Sequence, residues 1–195
     1  SGDLRHAYNL LEVAYYSTDK KITLDSLKNI SNKPNMFYDK NDEKIFMAMA
    51  ETERYGNLYL SYYVQQMDFH AEKQFAAVTV ALDDGSHFVA YRGTDYSVVG
   101  WKEDFNMQFM SFVPAQKAAG KHLDMYMKTL KGNFILGGHS KGGNLAIYAA
   151  TKCFPLRKKN IINIYNNDGP GFNMKLLNSS AYKKIENRII HFVPE

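Results

Sequence analysis

The opening part of the chain predicts helices, because its apolar residues return every three or four positions. Asp3 caps a first predicted helix, whose apolar face continues to Ala14, and Thr23 caps a second. A third helix is predicted over residues 39–53. The polar residues 32–35 between the second and third helices are typical of a loop and not of a domain boundary.

The pattern then changes to short apolar runs that are typical of β-strands. The predicted strands are residues 58–64, 75–82, 88–91, 161–165 and 188–193, with one more directly before Ser140. A turn at residues 83–86 joins two of them as a hairpin, and helices are predicted over residues 115–130 and directly after Ser140. Alternating strands and helices indicate an α/β fold with a largely parallel sheet covered on both faces, in a single domain of residues 1–195.

Length and composition fit a globular domain. Of the 195 residues, 45% are hydrophobic and 14% aromatic, which is enough to fill a core. No apolar run approaches the roughly 18 residues that cross a bilayer, and no export signal is visible. The single cysteine, Cys153, cannot form an internal disulfide, so we expect a cytoplasmic protein. The net charge of +4 is small, and nucleic-acid binding is not expected.

A serine flanked by glycines carries the first chemical motif. Residues 138–142, Gly-His-Ser-Lys-Gly, lie between an apolar run and a helical pattern. This order is typical of a nucleophile elbow, in which a strained turn presents a serine hydroxyl. Gly138 and Gly142 fit because a Cβ at either position would crowd the closing strand or helix. We therefore predict Ser140 as a nucleophile. A glycine-rich turn without chemistry is the less favoured alternative, since both flanking elements are present.

A second motif, residues 91–95 with the sequence Tyr-Arg-Gly-Thr-Asp, begins at the end of the strand predicted over residues 88–91. It lies at the same edge of the sheet as Ser140. An oxyanion hole needs one donor from the residue after the nucleophile and another from a loop after a nearby strand. Lys141, through its backbone N–H, and Thr94, through its N–H or hydroxyl, are predicted to supply them. Taken alone, this second motif favours a plain β-turn that carries a structural arginine, Arg92, and the oxyanion interpretation is favoured only because the motif occurs together with the serine turn.

In this order, the motifs resemble those of the class 3 lipases, which are serine esterases of the α/β-hydrolase fold. The resemblance rests on residues 91–94, 100–104 and 138–146. The chain is still more similar to an uncharacterised bacterial family related to these lipases, a domain of unknown function. That similarity rests on residues 2–4, 74–77, 113–116, 142–146 and 168–172. It implies the fold, Ser140 as nucleophile, and Thr94 with Lys141 as oxyanion donors, but no substrate.

A serine nucleophile of this kind acts in a catalytic triad with an acid and a histidine, and these two residues are harder to assign from the sequence. In this fold class the order is serine, acid, histidine, and His191 is the single histidine after Ser140. Because His191 lies inside a predicted strand, a packed strand histidine is favoured over a catalytic base. Asp168 ends the strand before it and is predicted as an acid or as a residue at the rim of the site. In class 3 lipases the acid follows the next strand, so we expect a truncated chain, with acid and histidine beyond Glu195.

Other polar clusters do not indicate further chemistry. The acidic pair Glu103 and Asp104 lacks the histidines or cysteines of a metal site, and Lys141 precedes glycine, unlike the lysine of a phosphate-binding loop. No metal and no cofactor is expected. The Lys141 side chain is expected to be solvated, with contact to an anionic substrate as the alternative.

The sequence predicts a serine hydrolase that cleaves a small-molecule or lipid-like ester or thioester through a Ser140 acyl-enzyme. The alternative is an inactive hydrolase-fold module that binds or scaffolds.

Overall fold

The structure is a computed structural model that describes residues 40–94 and 98–194. Its strands are β1 (Tyr59–Asp68), β2 (Lys73–Ala81), β3 (His87–Tyr91), β4 (Phe134–His139), β5 (Ile161–Asn167) and β6 (Ile189–Phe192). Its helices are α1 (Lys40–Ala50), α2 (Val98–Phe109), α3 (Pro114–Thr129), α4 (Lys141–Lys152), α5 (Met174–Leu177) and α6 (Ser180–Lys183). In this described part, short 3-10 helices at Pro155–Asn160 and Glu186–Arg188 lead into β5 and β6.

The described strands form one six-stranded sheet in the order β1-β2-β3-β4-β5-β6. The first three pair antiparallel and β3 to β6 pair in parallel, so the sheet is mostly parallel. The predicted hairpin between β2 and β3 is confirmed: Leu82 N donates to Ser86 O at 2.9 Å, and Gly85 has a φ of 79° that favours glycine. Strands β3, β4 and β5 therefore end side by side, next to Ser140.

Helices α3 and α4 pack against one face of the sheet and against each other. The buried residues of α3 recur at helical spacing, as Ala119, Leu123 and Tyr126 show, whereas α4 is buried on all sides from Lys141 to Thr151. The core between the helices and the sheet includes Phe75, Val89, Leu123, Leu136, Leu145 and Ile164, all essentially inaccessible to solvent. This packing determines where β4 ends and α4 begins.

Most predicted elements in the described part are present, with shifted ends. Strand β1 continues to Asp68, past the predicted end, because its exposed second half pairs with the start of β2. The register of β1 shifts between Ser61 and Val64, which marks a bulge. Helix α1 ends at Ala50, before the predicted residue 53. The helices predicted to begin at Asp3 and Thr23 lie outside the described residues.

The sequence pattern does not predict helix α2, and its structure explains why. Its exposed side carries Trp101, Phe105 and Phe109, which are 60%, 62% and 73% exposed, whereas its buried side carries Glu103. A rule that places apolar residues inside and charges outside does not detect a helix whose aromatic residues are exposed and whose Glu103 is buried. Although these aromatic side chains are exposed, no helix within residues 40–94 and 98–194 is long and apolar enough to cross a membrane.

We expect the fold to lose stability at mildly acidic pH through His122. Its imidazole packs in the core edge to face with Phe75 and Tyr126, and burial lowers its pKa from 6.5 to about 4. Between these pH values the unfolded chain binds a proton at His122 that the folded chain does not. The free energy of unfolding is therefore highest above pH 6.5 and decreases as the pH falls toward 4. In urea denaturation, we expect the unfolding free energy to fall between pH 7 and pH 5 by about 2 kcal/mol more in the wild type than in His122→Phe. Equal pH dependence in both proteins contradicts this expectation.

Candidate functional site

Ser140 occupies a strained turn between β4 and α4. Its φ of 53° and ψ of −128° lie in a region that residues with side chains rarely adopt. Such strain persists only where the surrounding structure enforces it. Here Ser140 N donates to Asn167 O at the end of the neighbouring strand β5, at 2.9 Å. The serine is thereby held at the carboxyl edge of the sheet, at the start of α4.

Two glycines make this turn possible. A Cβ at position 142 would stand 2.1 Å from Tyr91 O, and a Cβ at position 138 would stand 2.4 Å from the carbonyl carbon of Gly142. Atoms cannot approach so closely, so both positions require glycine. The absence of these side chains lets the end of β3 lie directly against the first turn of α4.

The loop after β3 lies beside the serine. Tyr91 pairs with Gly138 in the parallel ladder between β3 and β4. A Cβ at the next glycine of the loop, Gly93, would stand 2.8 Å from His139 O and 3.8 Å from Ser140 Cβ. The loop that carries Thr94 and the turn that carries Lys141 therefore meet at Ser140.

The Lys141 side chain is buried, contrary to expectation, with 1% of its surface exposed. Its ammonium group donates to Glu103 Oε2 at 3.0 Å, to Gln74 O at 3.1 Å and to Gln74 Oε1 at 2.5 Å. The expectation of a solvated side chain is wrong because α2 provides a buried carboxylate as its partner. The alternative of an anionic substrate is also disfavoured, since three acceptors of the protein take the three ammonium protons.

Glu103 is the centre of this buried cluster. Besides the Lys141 ammonium, its carboxylate accepts the backbone N–H of Gln74 at 2.9 Å and that of Ala115 at 2.7 Å. Glu103 thus connects α2 with the starts of β2, α3 and α4. A carboxylate that is completely withdrawn from water needs such a full set of partners.

Asp104, the next residue of α2, extends the cluster to the loop after β3. Its carboxylate accepts a hydrogen bond from the hydroxyl group of buried Thr94, and it lies 3.9 Å from the Lys141 ammonium. Consecutive carboxylates on one helix therefore contact the residue after Ser140 and the loop beside it.

A second polar connection holds the loop after β5 near the serine. Gln116 of α3 donates to Asn144 Oδ1 at 2.7 Å, and Asn144 Nδ2 donates in turn to Pro170 O at 2.8 Å. A Cβ at Gly169 would stand only 2.7 Å from Ser140 O. The loop is thus held against the first turn of α4.

Asp168 lies at the mouth of the site. It directly follows β5, has a φ of 54°, and donates its backbone N–H to Phe192 O at 2.7 Å. Its exposed side chain lines the same cleft as Ser140. Among the described residues, no hydrogen bond joins its carboxylate to a histidine.

His191 lies in β6, as predicted, but it is exposed and not packed. The expectation of a packed histidine is wrong because β6 is the outermost strand of the sheet as described. Its Nδ1 accepts a hydrogen bond from Asn166 Nδ2 at 3.0 Å, while Asn166 Oδ1 accepts the Gly169 N–H at 3.0 Å. The Asn166 amide thus stands between His191 and the loop beside Ser140. Within residues 40–94 and 98–194, no hydrogen bond joins Ser140 Oγ to a histidine.

A cleft of about 890 Å³ opens beside Ser140. The end of α2 and the loop after β5 form its walls. Its apolar lining includes Met107, Phe109, Met110 and Phe172, and its polar lining includes Asn173 and Lys175. A cleft of this size and mixed lining accommodates an extended, partly apolar molecule.

Sequence reasoning missed the contributions of α2, β2 and α3 to the site. It treats Glu103 and Asp104 as an acidic pair without metal partners and assigns no role to Gln74 or Gln116. The available clue was Lys141, a charged residue at the start of an apolar helix, because a charge in such a place needs a partner.

Comparisons with known proteins agree on a lipase-like domain. Residues 49–195, more than half of the chain, match the model of the Mbeg1-like family, a lipase-like family. Among solved structures, a fungal lipase in complex with an inhibitor, from a study of interfacial activation in lipases, resembles the chain with a TM-score of 0.52 and 12% sequence identity. The likeness covers 97% of this chain and 69% of the lipase chain. At this identity it concerns the fold, which is α/β-hydrolase-like. No curated protein matches the chain.

Proposed function

The chain belongs to the Mbeg1-like family, and from this membership and its site we propose that it is a serine hydrolase acting through a Ser140 acyl-enzyme. The observation that carries the proposal is the backbone of Ser140, held at a φ of 53° at the start of α4. Strain of this kind, enforced by contacts that exclude a Cβ at two neighbouring positions, is explained by a need to present the hydroxyl group.

In the proposed reaction, Ser140 Oγ attacks the carbonyl carbon of an ester or thioester, and the carbonyl oxygen becomes an oxyanion. The serine proton passes to a base and then to the departing alcohol or thiol, which leaves an acyl-enzyme that water hydrolyses to the acid. The backbone N–H of Lys141 lies outside the hydrogen-bond ladder of α4, because Lys141 is the first helical residue. It is available to the oxyanion, whose charge the helix dipole favours.

The proposed substrate is lipid-like. An acyl chain would lie along Met107, Met110 and Phe172, which line the cleft beside Ser140. Apolar contact of this kind binds a chain without requiring a particular head group. A cytoplasmic location, expected from the single cysteine, also belongs to the proposal.

The direct test is incubation with a fluorophosphonate probe, followed by peptide mass spectrometry. We expect modification of Ser140, because the probe is attacked by the same oxygen as an ester. Modification of a different serine, or none under conditions that label an authentic serine esterase, contradicts the proposal.

A second candidate function is a module that binds an ester or a related ligand without cleaving it. Two observations favour it. None of the described hydrogen bonds joins a histidine to Ser140, and the Nδ1 of His191 is hydrogen-bonded to Asn166. A serine without a base is a poor nucleophile at neutral pH. Such a module would retain affinity for the ligand but would not be labelled by the fluorophosphonate.

We expect Thr94→Val to lower kcat by about 10²-fold and to leave KM almost unchanged. The hydroxyl that this change removes donates to Asp104, so its loss frees the loop that carries the Thr94 N–H. Thr94→Ser keeps the hydroxyl and serves as the control, with near-normal kcat. Steady-state kinetics on a short-chain ester measure both variants. A rise in KM at constant kcat would instead assign the threonine to substrate binding.

A further inference from the structure

We propose that the buried side chains of Lys141 and Glu103, with Asp104, form a positioning unit that fixes the two oxyanion-donor segments relative to each other. The inference rests on the proposed hydrolase function and gives the buried charges a role in it. The two segments are the first turn of α4, which carries the Lys141 N–H, and the loop after β3, which carries Thr94. The Lys141 and Glu103 side chains are buried, so the role that we assign to them is to position these segments and not to contact the substrate.

A single ammonium group connects the two segments. Lys141 Nζ lies 3.0 Å from Glu103 Oε2 and 3.9 Å from Asp104 Oδ1, on consecutive residues of α2. Asp104 in turn accepts the hydroxyl proton of Thr94. A shift of either segment therefore disturbs the same group of charges.

The rest of the fold holds this group in place. Glu103 accepts backbone N–H groups from Gln74 of β2 and from Ala115 of α3, and Gln74 also accepts two hydrogen bonds from the Lys141 ammonium. Glu103 is thus held by the sheet and by the long helix α3, which belong to the core of the molecule. The positions of both donor segments are thereby connected to the core.

Stability alone does not explain the buried pair. An apolar side chain at position 141 would fill the space without the desolvation of two charges, and such replacements are often neutral or stabilising. The ammonium also belongs to the first residue of a helix, where the helix dipole disfavours positive charge. An ion pair with full hydrogen bonding permits one arrangement, whereas an apolar contact permits several. Geometric precision beside Ser140 is therefore the advantage that this pair provides.

The unit acts on the transition state more than on the bound substrate. Oxyanion donors interact most strongly with the charge that develops as the serine attacks. Looser spacing of the donors lowers kcat and leaves KM almost unchanged. The attack of Ser140 on a fluorophosphonate places similar charge on the phosphoryl oxygen, so labelling slows in parallel.

The main test compares the double variant Lys141→Met, Glu103→Gln with a matched control, Lys158→Met. The double variant removes both buried charges together, so that neither the ammonium nor the carboxylate remains buried without its opposite charge. Lys158 is also a buried lysine packed on α4, but its ammonium donates to Ala150 O at 2.7 Å, at the opposite end of the helix. We expect the double variant to lose about 10²-fold in kcat and in labelling rate, with KM within about twofold of the wild type. Lys158→Met is expected to lower the melting temperature at unchanged kcat.

Asp104→Asn provides a second variant that leaves the buried pair intact. It weakens the connection to Thr94, and the Asp104 side chain is partly exposed, so folding is expected to be unaffected. We expect kcat to fall about tenfold without a change in KM. This variant decides the question if the double variant does not fold.

Amide hydrogen exchange provides a readout that does not depend on turnover. In the double variant we expect faster exchange in both donor segments, residues 92–94 and 141–144, whereas Lys158→Met accelerates exchange near the end of α4. Unchanged exchange in either segment overturns the positioning role, as does a kcat loss no larger than that of Lys158→Met. If the wild type neither cleaves esters nor is labelled while both segments respond together, the hydrolase proposal fails and the connection between the segments stands.

Discussion

Ser140→Ala is expected to abolish fluorophosphonate labelling and to reduce ester turnover by at least about 10³-fold. The change removes the attacking oxygen, so that only substrate binding and the oxyanion donors remain to accelerate hydrolysis. Alanine keeps the Cβ of serine and places no new steric demand on the φ of 53° at this turn. The melting temperature should therefore match that of the wild type. Initial rates on short-chain esters, with labelling followed on a gel, measure the effect.

The control for this change is Ser111→Ala. Ser111 lines the same cleft as Ser140 but lies beyond the end of α2, away from the strained turn. We expect its removal to leave labelling and turnover close to wild type. Ester turnover that persists in a folded Ser140→Ala protein would refute the acyl-enzyme mechanism, whatever the control shows.

Gly142→Ala is expected to destabilise the fold by more than about 4 kcal/mol, among the largest costs of a single substitution. The added Cβ would stand 2.1 Å from Tyr91 O and 3.0 Å from its carbonyl carbon. Both atoms are backbone, so no side chain can rotate away, and relief requires separating the end of β3 from α4. Urea denaturation measures the loss, and a sharp fall in soluble yield is its first sign.

Gly171→Ala is the matched control for this steric argument. Gly171 belongs to the loop that borders the same cleft, but a Cβ there has no atom within 4 Å. We expect its stability to stay within about 0.5 kcal/mol of the wild type. Equal stability of the two alanine variants would contradict the close approach of β3 and α4 at Ser140.

Local patterns were sufficient to predict the central part of the fold. The hairpin between β2 and β3 follows from its turn residues, because Gly85 supplies the positive φ that the turn requires. The strand, turn and helix around Ser140 follow from an apolar run, flanking glycines and a helical apolar pattern. Each of these features is encoded within a few consecutive residues, and together they indicated an α/β domain; the lipase-like family was implied by the resemblance of the motifs.

The side chains around the turn could not be predicted in the same way. Lys141 meets Glu103 and Gln74 across separations of 38 and 67 residues, so no local pattern joins them. Helix α2 was not predicted because its aromatic residues Trp101, Phe105 and Phe109 are exposed while the carboxylate of Glu103 is buried. His191 was placed correctly in a strand, yet its exposure depends on what lies beside β6 and not on β6 itself.

The sequence by itself determined the local conformations, including the strained turn at Ser140, because backbone preference and apolar periodicity are properties of neighbouring residues. Only the tertiary structure decided which charges are buried and which segments meet at the serine. Burial depends on the surfaces that distant segments bring together, and a charge enters the interior only where those segments supply its partners. The cluster of Lys141, Glu103 and Gln74 satisfies that condition once β2, α2 and α4 have packed against one another.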